Sequence, residues 1–212
     1  MNDIYAIIFD LDGVICSTDK YHYLAWESLA HSLDLAFDRE KNALLRGVSR
    51  MESLDIVLGE KSTLFTPEEK AELAERKNAL YRSYLEGLQP ADLSKEVRMT
   101  LNTLRQRGYL LAIGSSSRNA PFILERLGLA GFFDAVAHGG MISRSKPDPE
   151  VFLLATSMLG VQPERAIVVE DAGSGVRAAC AGHFRVIGIR TEDNDPNSDI
   201  SIRRLSNLLD IL

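Results

Sequence analysis

The chain has 212 residues, 45% hydrophobic and 25% charged, with a net charge of −6 shared equally between residues 15–90 and the rest. That composition is ordinary for a folded globular chain, and without a basic excess a nucleic-acid binder is disfavoured. No apolar run is long enough to span a bilayer, and the N-terminus, with Asp3 near the start, does not read as a signal peptide. Two cysteines, Cys16 and Cys180, form no disulfide framework and have no partners at metal-ligand spacing. A reduced, cytoplasmic, monomeric protein is expected, with both cysteines as packing residues.

In chain order, Ile4–Phe9 is a short apolar run rich in β-branched and aromatic residues, as in a strand buried on both faces of a parallel sheet. Residues 16–88 follow with helical periodicity and no convincing strand; Ala25, Leu29 and Leu33 recur at spacing four, with Trp26 and Ala30 beside them. Thr66-Pro67-Glu68-Glu69 is an N-cap, a first-turn proline and an early acidic pair, and predicts a helix to about Leu85. From Lys95 the pattern alternates. Helices are predicted over about 95–107, 120–127, from Pro149 to Gly160 with Asp148 as N-cap, and from Gly173 to Gly182. Apolar strands are predicted at 110–113, 135–137, 166–169 and 185–189. The expected fold is α/β: a doubly wound parallel (Rossmann-like) sheet core, residues 1–15 and 89–212, with an inserted all-helical cap domain, residues 16–88.

The chemistry lies where strands end, which is where open α/β sheets bind ligands. The first strand closes on Asp10-Leu11-Asp12-Gly13. Two carboxylates this close repel when ionised, and a divalent cation is the usual remedy; a turn capped by the second Asp is the alternative. After 110–113 come Ser115-Ser116-Ser117-Arg118-Asn119, where hydroxyls and backbone N–H groups at a helix start make an anion site. One serine would suffice to cap that helix; three, with Arg118 and Asn119, exceed the need. Lys146, between a turn and a helix start, can neutralise a phosphate. Glu170-Asp171 ends a buried strand, which is costly unless paired or metal-bound; capping of the next helix by Asp171 is the alternative.

These four blocks, in this order, resemble the haloacid dehalogenase superfamily over nearly the whole chain. The resemblance implies Asp10 as nucleophile forming an aspartyl phosphate and Asp12 as general acid/base. It implies Ser115, Ser116 and Lys146 around the transferring phosphoryl group, and a Mg2+ site from Asp10, Asp12, Glu170 and Asp171. The insert resembles that of the β-phosphoglucomutase-like subgroup, through His22 before Trp26, Arg46-Gly47-Val48-Ser49-Arg50 before Ser53, and Arg76-Lys77-Asn78. That implies Arg50 for the phosphate not being transferred, and His22 and Lys77 near the sugar. Arg46, Gly47, Ser53, Ser117, Arg118 and Asn119 complete the substrate contacts, and Thr18 is a hinge support. Arg118 and Arg46 stand where Lys is more usual in the subgroup; charge is kept but geometry differs. His31, His138 and His183 are read as structural.

The implied activity interconverts β-D-glucose 1-phosphate and D-glucose 6-phosphate through a bisphosphate, with a small phosphorylated sugar as the partner and neither nucleic acid nor membrane. The alternatives are a Mg2+-dependent sugar-phosphate phosphatase of the same superfamily and a non-catalytic phosphate-sensing or partner-binding module. Arg50 could instead form a surface pair with Glu52 or Asp55.

Overall fold

The computed structural model describes residues 4–45, 48–189 and 198–212. Arg46, Gly47 and the acidic stretch 192–195 lie outside the described residues. The sheet has six parallel strands in the order β3-β2-β1-β4-β5-β6. They are β1 (Ala6–Phe9), β2 (Leu110–Ser115), β3 (Ala135–His138), β4 (Ala166–Glu170), β5 (Arg185–Ile189) and β6 (Ile200–Ile202). β1 lies at the centre, in register with Leu110–Ile113 of β2 on one side and Ala166–Val169 of β4 on the other.

The period-2 alternation of side chains sorts these strands onto two faces. Ile7, Phe9, Leu111, Ile113, Ile167 and Val169 join one core cluster, with Val97, Leu101 and Leu104 of α5 (Lys95–Gln106) and Ile123 and Leu124 of α6 (Ala120–Arg126). Ala6, Ile8, Ala112, Ala166 and Val168 join another, with Val151 and Phe152 of α7 (Glu150–Leu159) and Val176 and Ala179 of α8 (Gly173–Ala181). Covered on both faces, the strands need unbroken apolar sequence, which is why they read as runs. The short α9 (Leu208–Ile211) closes the chain.

Between β1 and α5 the described residues hold helices only. These are α1 (Asp19–Ser32), α2 (Arg39–Ala43), α3 (Arg50–Leu58) and α4 (Pro67–Leu85), joined by turns and short 3-10 segments. They form a helical cap with its own apolar cluster of Trp26, Leu29, Ala30, Leu54, Val57, Leu73 and Ala74. Capping boxes fix two of the starts: Ser49 with Glu52 opens α3, and Thr66 with Glu69 opens α4. α4 bridges the two bodies. Its Leu73 and Ala74 belong to the cap cluster, while Tyr81 and Leu85 lie in the sheet's core cluster.

The differences from sequence expectation are local. β6 was not foreseen. Asp148 does accept the Glu150 N–H at 3.0 Å, but α7 begins at Glu150 rather than Pro149. The residue before α8 is Ala172, whose side chain cannot cap, so Asp171 is not its N-cap; Glu170 Oε2 accepts the Ala172 N–H at 2.8 Å. Cys180 is exposed, so it is not a packing residue, whereas Cys16 is half-buried against the core cluster.

Candidate active site

The carboxyl ends of β1, β2 and β4 and the cap enclose one cavity of about 570 Å3, with Asp10, Asp12, Ser115, Lys146, Glu170 and Asp171 on the core side and His22, Arg50, Ser53 and Lys77 on the cap side. The registers explain the core half. Phe9 is level with Ile113 and Val169, so the residues that follow on each strand emerge at one end of the sheet.

Lys146 is 2% exposed and is the hub of that end. Its Nζ donates to Asp10 Oδ1 at 2.5 Å and to Glu170 Oε1 at 2.7 Å. Burial alone would depress its pKa; contact with the two carboxylates outweighs burial and raises it. Asp10 is pushed well above the usual carboxylate range, first by burial and then by Glu170 and Asp171, with Lys146 opposing. Asp12 is also raised, chiefly by burial, although Thr18 donates to its Oδ1 from the backbone N–H at 3.0 Å and from its hydroxyl. The Thr18 hydroxyl lies 2.8 Å from Tyr81 Oη, which ties Asp12 to α4.

Two glycines let the acids pack this closely. A Cβ on Gly175 would lie 1.7 Å from Glu170 Oε1, and one on Gly13, which has φ +89°, would lie 1.9 Å from Asp171 Oδ2. In the serine block, Ser115 Oγ accepts from the Ser117 N–H at 3.1 Å and Ser117 Oγ from the Asn119 N–H at 3.2 Å. The Ser116 hydroxyl is buried without a hydrogen-bond partner among the described residues.

The cap half is organised by α4. Lys77 Nζ lies 2.8 Å from His22 Nδ1, over the rings of Trp26 (4.6 Å) and Tyr81 (4.7 Å). Burial, with Arg50 reinforcing, lowers Lys77 to about 7, and burial with Lys77 and Arg50 holds His22 well below its usual value. His22 stacks on Tyr81 at 4.0 Å between ring centres. Arg50 does not pair with Glu52, which completes a capping box, or with Asp55, which holds Lys70 at 2.8 Å. It donates through Nη2 to Asn78 Oδ1 at 2.8 Å and through Nη1 to Glu75 Oε2 at 3.3 Å. Asn119 Nδ2, from the core, donates to the same Asn78 oxygen at 2.9 Å.

Residues 4–182 match the model of the haloacid dehalogenase-like hydrolase family. The chain belongs to this family. It is 39% identical to a β-phosphoglucomutase of Bacillus subtilis, over 96% of this chain and 91% of that protein. It is 32% identical to a phosphorylated carbohydrates phosphatase of Thermotoga maritima, over 90% and 87%. The crystal structure of a β-phosphoglucomutase from Clostridium difficile superposes with a TM-score of 0.92 at 36% identity, covering 97% of this chain and 93% of that one. The sheet with a helical cap is therefore that of haloacid dehalogenase-like enzymes.

Sequence reasoning gave no role to three residues of this network, although Asn78 stood in the quoted Arg76-Lys77-Asn78 block. Tyr81 and Asn78 share the inner face of α4 with Lys77, and Tyr81 lies four residues beyond it, a spacing that puts both on one helix face. Glu75 gave no signal at all, because its partner Arg50 is 25 residues away.

Proposed function

We propose that the chain is a Mg2+-dependent phosphotransferase that interconverts β-D-glucose 1-phosphate and D-glucose 6-phosphate through an aspartyl phosphate and a bisphosphate. The observation that carries this reading is a second cationic position in the cavity that holds Asp10. Arg50 stands on the cap and is linked through Asn78 to Asn119 of the core. A phosphatase needs one phosphate site; a mutase must hold a sugar by two.

In the first half-reaction an Asp10 carboxylate oxygen attacks phosphorus, the ester P–O bond breaks, and Asp12 gives its proton to the departing sugar oxygen. In the second, Asp12 takes the proton of the attacking hydroxyl while the phosphoryl group leaves Asp10. Lys146 offsets the charge of the transferring oxygens, and Ser115 and Ser116 hydrogen-bond them. The raised pKa of Asp12 suits a group that must carry a proton in one step and lose it in the next. With Nδ1 engaged by Lys77, His22 has its other ring nitrogen, Nε2, left for a sugar oxygen. The Arg50 fork suits bidentate contact with the distal phosphate.

Four acidic residues around one lysine leave excess negative charge at the strand ends, and every donor is oxygen. Among the described residues no three His, Cys, Asp or Glu side chains form a metal cluster. A hard cation kept partly hydrated fits such a place. Asp10, the Asp12 backbone carbonyl and Asp171 would hold it, and Glu170, with one oxygen on Lys146 and the other on Ala172, would stay outside. When bound, Mg2+ screens the repulsion between the carboxylates and the phosphate.

The test is product partition. With β-glucose 1-phosphate, Mg2+ and a bisphosphate primer, glucose 6-phosphate should form in large excess over free phosphate, and excess chelator should stop both. Free phosphate as the main product would favour a phosphatase, the activity named for the Thermotoga relative.

A further inference from the structure

We propose that Glu75 is a resident carboxylate that occupies Arg50 until a substrate phosphate displaces it, and so sets the affinity of the second phosphate position. The proposal rests on the mutase reading above. Arg50 presents two terminal nitrogens toward the cavity, and both are engaged, Nη2 by Asn78 and Nη1 by Glu75. Asn78 is an amide shared with Asn119 and can remain while an anion binds. Glu75 cannot, because a carboxylate and a phosphate would compete for the same face of one guanidinium.

The geometry marks the Glu75 contact as the weaker of the two. At 3.3 Å it is longer than the 2.7–2.9 Å usual for a charge-assisted bond. The Glu75 side chain is 68% exposed against 24% for Arg50, so it can swing into solvent without leaving a buried charge. Its other oxygen accepts from Asn78 Nδ2 at 3.3 Å, which aims it at Arg50. Burial, and then a like charge, explain why an anion is wanted there. Burial disfavours the Arg50 charge, Arg118 of the serine block, on the same cavity, adds to that, and Glu75 opposes both. The carboxylate offsets the Arg50 charge in the absence of ligand, and a phosphate dianion, with more charge and three acceptor oxygens, replaces it. A ligand with no distal phosphate leaves Glu75 in place and gains nothing from Arg50. The position therefore discriminates by charge as well as by shape.

An exposed pair of this kind is worth at most about 1 kcal/mol, so removing the competitor should change affinity by about two- to five-fold. The experiment measures calorimetric binding of β-glucose 1,6-bisphosphate in Mg2+ to the Asp10→Asn chain, which cannot turn it over. Glu75→Gln, which keeps a hydrogen-bonding side chain, should tighten binding by that factor at low salt, and Glu75→Ala should act in the same direction. On an Arg50→Ala background the gain should vanish, because the effect runs through that side chain. Unchanged or weakened binding in both Glu75 variants, with Arg50→Ala still weakening it, would overturn the role of Glu75 and leave the distal site standing. If Arg50→Ala left binding unchanged, the distal site itself would fall, and this proposal with it.

Discussion

Two lysines are buried at the same cavity, one in the α/β core and one in the cap, and their surroundings push them in opposite directions. Lys146 is raised because Asp10 and Glu170 lie within 2.7 Å of its Nζ. Lys77, packed against His22 and two aromatic rings, is lowered to about 7 first by burial and then by the field of Arg50, with the Asp12 charge opposing. The core end is an ionic assembly built on strand ends, with Lys146 already paired to two of its carboxylates. The cap end is short of negative charge and is held together by hydrogen bonds that cross to the core. On the proposed function, a phosphate is what the second region lacks and an acceptor for the phosphoryl group is what the first presents. This division would let one cavity hold a phosphate at each end.

The sharpest way to break the comparison is Lys146→Met. It should leave Asp10 and Glu170 buried without their counter-ion, which costs about 3–5 kcal/mol for a buried pair of this type. A urea titration should show a clear drop in midpoint at constant slope. An unchanged midpoint would mean the triad does not organise the strand ends.

Lys77→Met should behave differently, because this lysine is not held by a carboxylate. Between pH 7 and its ordinary value of 10.5 the unfolded chain binds a proton that the folded Lys77 does not. The stability of the natural chain relative to Lys77→Met should therefore rise across that window and be lowest at and below pH 7. Unfolding of both chains at pH 6, 7.5 and 9 checks this. A difference that is flat with pH would contradict the depressed pKa.

Much of this was legible in the sequence, for identifiable reasons. The central strands β1, β2 and β4 are buried on both faces and so read as apolar runs; β5 matches at 185–189 and α4 ends at Leu85, both as expected. Their carboxyl ends carry the acidic, serine and lysine blocks, because the fold puts ligands there. β6 escaped because Ile200-Ser201-Ile202 is only three residues long at the sheet edge. The links Thr18–Tyr81, Arg50–Glu75 and Asn78–Asn119 escaped because they join residues 63, 25 and 41 positions apart, and no local periodicity encodes which polar residues of two helices will meet.

The central claim is that the cap supplies a second phosphate site, and Arg50→Ala tests it most directly. The measurement compares phosphoryl transfer to the sugar from β-glucose 1-phosphate with hydrolysis of a small aryl phosphate, which has no second phosphate to hold. Loss of the Arg50 contacts should lower transfer to the sugar by about 100-fold, the scale of a charge-assisted bidentate contact of roughly 2–3 kcal/mol, while aryl phosphate hydrolysis changes little. Equal losses in both reactions, or no loss in either, would contradict a distal phosphate site at Arg50.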